Sequence, residues 1–193
     1  SDVIEKYRCE LDADIRLFTW AQYKFFEQWD ALREYVHSLG IEIIGDIPIY
    51  VALDSADVWS ERREFLLDKA GRPSRVAGVP PDYFSADGQL WGNPLYDYEA
   101  MQKDGFEWWI RRIGGAAKLY DVIRIDHFRG FDTYWAIPAG SSTACTGKWE
   151  IGPRMDLFHA LEAALGKLPI IAEDLGELFP SVRELLAVSY THL

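Results

Sequence analysis

The sequence has few residues of the kinds that build disulfide frameworks, metal centres or membrane spans. Its two cysteines, Cys9 and Cys145, lie far apart and show no paired spacing. Its four histidines, at positions 37, 127, 159 and 192, show no metal-ligand spacing. No apolar run approaches the length of about 18 residues that a transmembrane helix needs, and no N-terminal stretch has a signal-peptide pattern. These absences exclude a disulfide scaffold, give no support for metal binding, and favour a reducing, cytoplasmic location.

Basic residues are also few. Twenty lysines and arginines stand against thirty-one aspartates and glutamates, which gives a formal net charge of −11 at pH 7. A surface of this sign repels phosphate backbones and anionic lipids, so we expect neither nucleic acid nor a membrane as a partner. The eight tryptophans and ten tyrosines can stack on sugar rings, although aromatic residues also fill cores. The composition favours a globular protein with a neutral substrate.

Helical and strand-like segments alternate along the chain. Apolar residues recur at helical spacing in four segments, 18–39, 106–119, 154–165 and 181–188. Short β-branched apolar runs lie between them, at 41–51, 122–126 and 170–173. This order predicts parallel strands in an α/β fold, either a doubly wound sheet or part of a (β/α)8 barrel. No Gly-x-Gly-x-x-Gly motif follows a strand, and charged strand ends that lead into loops on one face favour the partial barrel.

Two long segments between these elements show little periodicity. Residues 52–105 contain many prolines, glycines and aromatic residues, and we expect a long inserted loop that leaves the carboxyl end of a strand. Residues 131–153 form a second predicted loop over the same face. Loops in this position build the substrate sites of barrel folds. Residues 52–105 can equally form a structural subdomain that packs its own aromatic side chains, and the pattern leaves both interpretations open.

Each predicted strand carries an acidic residue at its end: Asp46, Asp126 and Glu173. A buried unpaired carboxylate is costly, so these residues either contact solvent or serve a function. Two carboxylates that face one cavity suit glycoside chemistry, one as nucleophile and the other as general acid and base. Arg124 lies two residues before Asp126 and therefore on the same face of the strand, where it can orient that carboxylate. His127 follows directly and can bind sugar hydroxyls.

Four motifs resemble those of one enzyme family. They are G-D-I-P-I-Y-V (45–51), V-A-G-V-P-P-D-Y-F-S with G-Q-L-W-G-N-P-L-Y (76–96), R-I-D-H-F-R-G (124–130) and A-E-D-L-G (172–176). Together they resemble the 4-α-glucanotransferases, also called amylomaltases or disproportionating enzymes, of glycoside hydrolase family 77. The resemblance runs from about residue 17 to about residue 186. The motif in 76–96 separates this family from ordinary α-amylases.

The resemblance implies a (β/α)8 barrel in which the three predicted strands are the third, fourth and fifth. It implies that Asp126 is the nucleophile of a retaining enzyme and Glu173 its general acid and base. The further residues that it assigns to the substrate site are Arg124, His127, Asp46, Asp82, Tyr83, Trp91 and Asn93. The implied activity moves α-1,4-glucan segments between maltodextrins without a metal ion or cofactor. Transfer requires that water be kept from the intermediate, and a loop rich in proline and aromatic residues suits that task.

The chain also departs from the family pattern. The family's third essential carboxylate lies in a Thr-His-Asp segment far downstream, whereas Thr191-His192 is followed here by Leu193. The last six residues do not match the family's continuation either. We therefore expect residues 1–193 to be a fragment of a catalytic barrel domain, inactive or poorly folded alone. Two alternatives stay open: an α-amylase-like retaining hydrolase with the same carboxylates, and a non-catalytic glucan-binding module.

Overall fold

The computed structural model describes residues 2–173 and 180–189, with the side chains of the last helix described to residue 186. The helices are α1 (Asp2–Glu10), α2 (Asp12–Ser38), α3 (Ala56–Ser60), α4 (Tyr98–Lys103), α5 (Glu107–Leu119), α6 (Met155–Leu165) and α7 (Pro180–Ser189). The strands are β1 (Ile44–Pro48), β2 (Arg75–Val79), β3 (Gln89–Pro94), β4 (Val122–Asp126), β5 (Thr133–Pro138), β6 (Lys148–Ile151) and β7 (Ile170–Ala172). Residues 174–176 of the A-E-D-L-G motif, and Thr191-His192, lie outside the described residues. The chain divides after residue 43 into two units.

The first unit consists of helices α1 and α2. Helix α2 confirms the helix predicted at 18–39 and begins earlier, at Asp12. Many of its apolar side chains are exposed, among them Phe18, Phe25 and Leu32. Gly40 follows the helix with φ of 72°, a left-handed conformation that glycine adopts without strain and that commonly ends a helix. Within the described part of the chain, no helix combines the length and the apolar character needed to cross a bilayer.

In the second unit, the three predicted strands form a parallel sheet in the order β1-β4-β7. Strand β4 has the predicted bounds, and β1 is shorter than predicted because it ends at Pro48, which cannot donate to a ladder and is tolerated at a strand end. The side chains of Ile47, Ile123 and Ile125 are buried. The residues between them point to the opposite face because successive side chains of a strand alternate. The sheet thus packs one face in the core and presents ionisable residues on the other.

The segments predicted as loops contain a second sheet, which the sequence pattern did not indicate. Strands β2 and β3, within 52–105, pair antiparallel with each other, and β5 and β6, within 131–153, extend the sheet to the order β3-β2-β5-β6. These strands are only four to six residues long, which is too short to show a clear alternation of apolar and polar residues. The three central residues of β2 are all buried, so burial does not alternate along this strand. The protein is therefore a mixed α/β structure with parallel and antiparallel sheets.

Helices α5, α6 and α7 supply much of the core of the second unit. Helix α5 contacts β4 and α6, and α6 contacts α7. Trp109 of α5 and Phe158 of α6 each pack edge-on against Phe131, with ring centroids 5.0 and 5.4 Å apart respectively. Leu157 and Leu161 are buried, as the predicted apolar stripe of 154–165 requires. This packing fixes the strand ends that carry the acidic residues.

Strand β1 passes very close to the residue that follows α5. A Cβ atom on Gly45 would lie 2.0 Å from Cδ2 of Tyr120, and the neighbouring ring atoms are almost as close. Glycine is required here because the ring of Tyr120 occupies the space that a side chain would fill.

We expect Gly45→Ala to lower the free energy of unfolding by about 1–3 kcal/mol, because the added methyl group forces the Tyr120 ring or the strand to move. Chemical denaturation checks this. Gly115→Ala in α5 is the matched control, since a Cβ there meets nothing within 4 Å and helical glycine is about 1 kcal/mol less favourable than alanine. Equal effects of the two substitutions would contradict the steric explanation.

Candidate active site

The sheet register brings the two predicted catalytic carboxylates side by side. Asp126 is the last residue of β4, and Glu173 directly follows β7. Ile125 of β4 lies opposite Ala172 of β7, so the next residue on each strand is one of the two acids. The backbone N–H of Glu173 donates to the carbonyl oxygen of Ile125 at 3.1 Å, which continues the ladder by one step. Parallel pairing alone therefore places both acids at one sheet edge.

Arg124 connects the two carboxylates. Its Nη2 donates to Oδ1 of Asp126 at 3.1 Å and lies 4.0 Å from Oε1 of Glu173. Because both oxygens are this close to one nitrogen, they are within about 7 Å of each other. The exposed fraction of the side chain is 49% for Asp126 and 14% for Glu173, so one acid faces solvent more than the other.

Asp46 holds the other end of the guanidinium. Nη1 of Arg124 donates to both carboxylate oxygens of Asp46, at 2.7 and 2.8 Å. The sequence predicts Asp46 at a strand end, but it lies in the middle of β1, opposite Arg124, and Pro48 ends the strand. The hydrogen bonds to Asp46 raise the pKa of Arg124, so this cation is permanent. Asp46 thus fixes one nitrogen of Arg124 through both of its carboxylate oxygens.

The backbone of His127 fixes Glu173. Its N–H donates to Oε2 of Glu173 at 2.8 Å. The other carboxylate oxygen, Oε1, is the one that lies near Arg124. His127 has φ of 57°, in the left-handed region that non-glycine residues rarely adopt. A Cβ on Gly130 would lie 3.2 Å from Cδ2 of the His127 ring, so the turn that follows is closely packed. The sharp turn after β4 is what aims this amide at the carboxylate.

The imidazole of His127 is held neutral. Burial is the main cause that lowers its pKa from 6.5 to about 4; the nearby Arg129 cation acts in the same direction and Asp126 opposes both. The edge of the ring meets Trp91 with centroids 4.8 Å apart and planes at 85°. A neutral imidazole has one donor and one acceptor nitrogen, which suits hydrogen bonds to sugar hydroxyls.

Two adjoining cavities meet at Trp91 and His127. The smaller, of about 170 Å³, contains Asp126. Its other lining residues are Pro48, Ile49, Tyr50 and Asn93. The larger, of about 500 Å³, contains Glu173. Its other lining residues are Val79, Pro80, Pro81, Asp82, Phe84, Gln89, Arg129 and Trp149. Each of the two carboxylates therefore faces its own cavity.

The four predicted binding residues of 76–96 lie in different surroundings. Trp91 lines both cavities, and Asn93 lines the smaller one while its side-chain amide donates to the carbonyl of Val51 at 2.9 Å. Asp82 lines the larger cavity, but its Oδ1 accepts hydrogen bonds from the backbone N–H groups of residues 84 and 85, at 2.8 and 2.7 Å. Tyr83 is 97% exposed at the tip of this turn and lines neither cavity. Asp82 thus shapes the turn that presents Tyr83.

The sequence analysis missed several cavity residues, notably Tyr50, Gln89, Arg129 and Trp149. Arg129 stood inside the R-I-D-H-F-R-G motif and gave a signal as a second cation there. Trp149 gave none, because a single tryptophan in an irregular-looking segment is indistinguishable from a core residue. In the part of the chain that the structure describes, no three His, Cys, Asp or Glu side chains gather into a group that could hold a metal ion.

These features suit the chemistry of glycosidic bonds. Two carboxylates lie close together, one more exposed and one more enclosed, beside cavities walled by indole rings. One carboxylate can attack an anomeric carbon while the other transfers a proton at the glycosidic oxygen. Aromatic walls suit the apolar faces of sugar rings.

Comparison with known proteins gives the family. A family model described as 4-alpha-glucanotransferase, that of glycoside hydrolase family 77, matches residues 1–191. The match extends over nearly the whole sequence, so the chain belongs to this family.

Individual relatives agree with this assignment. A 4-alpha-glucanotransferase of Clostridium butyricum is 52% identical over 179 residues, which cover 92% of this chain and 37% of the relative. The chloroplastic/amyloplastic 4-alpha-glucanotransferase of Solanum tuberosum is 52% identical over 181 residues, 94% of this chain and 31% of the relative. The structure of amylomaltase from Streptococcus agalactiae in complex with acarbose matches with a TM-score of 0.94 and 45% identity, covering 97% of this chain and 38% of that chain. The chain thus spans between 31% and 38% of the length of these relatives.

The lowered pKa of His127 makes stability depend on pH. Between pH 6.5 and about 4 the unfolded state binds a proton at this imidazole and the folded state does not, so stability falls as the pH falls through this range. We expect the loss in free energy of unfolding between pH 7 and pH 5 to be smaller in His127→Asn by about 1–2 kcal/mol. Asparagine tolerates the left-handed backbone, so the comparison isolates the imidazole. Identical pH profiles from denaturant titrations of the two proteins would refute this account.

Proposed function

We propose that this chain is part of the catalytic domain of a 4-α-glucanotransferase that moves α-1,4-glucan segments between maltodextrins with retention of configuration. The observation that carries the proposal is the Arg124 guanidinium, which holds Asp126 and Glu173 from neighbouring parallel strands within about 7 Å of each other. Family membership supports the reaction class. The acarbose complex of the Streptococcus agalactiae amylomaltase supports a maltodextrin-like substrate.

In this mechanism an oxygen of Asp126 attacks the anomeric carbon as the glycosidic bond breaks. Glu173 donates its proton to the departing glycosidic oxygen, which leaves a glucosyl ester on Asp126. The Glu173 carboxylate then takes the proton of an incoming sugar 4-hydroxyl, whose oxygen displaces Asp126 and restores the α-linkage. Arg124 and the amide of His127 orient the two acids during both steps.

Transfer requires that a sugar hydroxyl reach the intermediate before water does. The larger cavity lies on the Glu173 side, where the leaving group departs and the acceptor arrives. Its aromatic and proline walls favour a sugar ring over bulk water, because they offer apolar contact that water does not use. This supports a transferase in preference to the α-amylase-like hydrolase or the glucan-binding module.

The proposal includes the surrounding architecture. A (β/α)8 barrel is supported by the three adjacent parallel strands, with helices α5 and α6 in the connections and acidic residues near the carboxyl ends of β4 and β7. The chain spans about a third of its relatives, so the third carboxylate of the family and the other strands belong to the complete protein in this proposal. A cytoplasmic location is proposed for a bacterial form, and a plastid location is printed for the Solanum tuberosum relative.

Asp126→Asn and Glu173→Gln in the full-length protein should each reduce the rate of maltotriose disproportionation at least about a thousandfold, because each removes a group that makes or breaks a bond. Glucose release and product analysis measure this. The control is Glu99→Gln on the exposed face of α4, which should keep the rate within about twofold of the parent rate. Full activity in either acid variant would refute the assigned roles. If the parent protein binds glucan but shows no turnover, the glucan-binding module is favoured instead.

The products distinguish transfer from hydrolysis. Incubated with maltotriose alone, the full-length protein should produce glucose together with a ladder of longer maltodextrins, because each glucosyl intermediate is passed to another chain. Chromatography of the products checks this. A hydrolase yields only shorter sugars, so the absence of products longer than maltotriose would overturn the transferase and favour the alternative hydrolase.

A further inference from the structure

Trp149 lines the cavity that contains Glu173, and it lies outside every motif by which the family resemblance was detected. It belongs to β6, where it is paired with Trp135 of β5. The smaller cavity, which contains Asp126, does not include Trp149 among its lining residues. This indole therefore lies on one side of the reaction centre, the side of the general acid.

The Trp149 ring is held by a buried cation that lines the same cavity. The guanidinium carbon of Arg129 lies 4.3 Å from the ring centroid, and Arg129 is only 3% exposed. Nη2 of Arg129 donates to Oγ1 of Thr133 at 2.9 Å, so the cation is itself fixed. A buried cation over an indole is a strong contact because it is shielded from water. The ring is thus held against the wall of the cavity.

A second contact limits rotation of the indole. The Trp135 ring packs edge-on against Trp149, with centroids 5.1 Å apart and planes at 69°. Nε1 of Trp135 donates to the carbonyl of Ala144 at 2.9 Å, which fixes Trp135. A side chain on Gly147 would collide with Trp135, since its Cβ would lie 2.1 Å from that nitrogen. A pre-positioned aromatic face loses little conformational entropy when a ligand stacks on it.

The other aromatic wall of the same cavity is Trp91, whose ring meets His127 edge-on. The cavity volume of about 500 Å³ lies in the range of small-molecule sites. Two fixed indoles beside a carboxylate that exchanges a proton with the leaving or incoming oxygen form a site for the sugar on that side of the bond.

We propose that Trp149 is a sugar-stacking residue that sets the affinity for the acceptor sugar, and that the buried Arg129 holds it in place. This inference rests on the proposed function, because an acceptor exists only in a transfer reaction. The ligand is the apolar face of a glucosyl ring at the non-reducing end of a glucose or maltodextrin acceptor. Formation of the glucosyl intermediate on Asp126 does not depend on this contact.

The test compares two half-reactions in the full-length protein. With α-glucosyl fluoride as donor, the burst of fluoride reports formation of the intermediate, and transfer to added glucose reports its use. We expect Trp149→Ala to raise the apparent KM for glucose about three- to tenfold, in line with the strength of an aromatic contact, and to leave the burst rate within about twofold. A larger share of the intermediate should then be lost to water.

Three further variants make the result decisive. Trp149→Phe, which keeps an aromatic face, should recover most of the affinity, whereas Trp149→Leu, which keeps apolar volume only, should behave like alanine. Trp59→Ala on α3 is the control, because Trp59 is 76% exposed and lines neither cavity. An unchanged KM for glucose in folded Trp149→Ala and Trp149→Leu would overturn the inference, as would a slower burst with an unchanged KM. If Asp126→Asn abolishes turnover and the Trp149 variants leave the KM for glucose unchanged, the proposed function stands and only this inference is overturned.

Discussion

One cation organises the candidate site. Three carboxylates on one face of a small parallel sheet would repel one another and favour a looser arrangement. Arg124 offsets this repulsion by contacting Asp46 with one nitrogen and lying between Asp126 and Glu173 with the other. Its guanidinium is planar and permanently charged, so it holds the groups in fixed directions as well as close together. The register of β1, β4 and β7 brings the three carboxylates together. The Arg124 cation reduces the repulsion between them.

The two sheets of the second unit have different tasks. The parallel sheet supplies the acids, because the register of β4 and β7 brings Asp126 and Glu173 to one edge of the sheet. The antiparallel sheet supplies the walls, with Trp91 on β3 and Trp149 on β6. The parallel sheet buries β-branched residues in the core with the helices. The antiparallel sheet is formed by the segments that lie between the parallel strands in the sequence. In the proposed mechanism, reactivity and sugar recognition therefore come from separate parts of the chain that meet at Glu173.

Local sequence pattern predicted the elements that are long or fully buried. The bounds of β4, and helices α5 and α6 nearly to the residue, follow from apolar spacing, because burial of one side imposes a period. The second sheet could not be found this way, since strands such as β6 span four residues and pair with segments distant in sequence. The position of Asp46 in mid-strand depends on the register with Arg124, which no single segment encodes. Trp149 escaped notice for the same reason, because only the pairing of β6 with β5 brings it to the cavity.

The hydrogen bond from His127 to Glu173 comes from the main chain and not from the imidazole. Replacing the side chain at this position cannot remove the donor, unless the newcomer is proline, which has no N–H. What the position demands instead is a residue that accepts a left-handed backbone, a short group that includes glycine, asparagine, aspartate and histidine. The path of the backbone thus sets the orientation of the Glu173 carboxylate, so the side chain at position 127 can change while this carboxylate keeps its orientation.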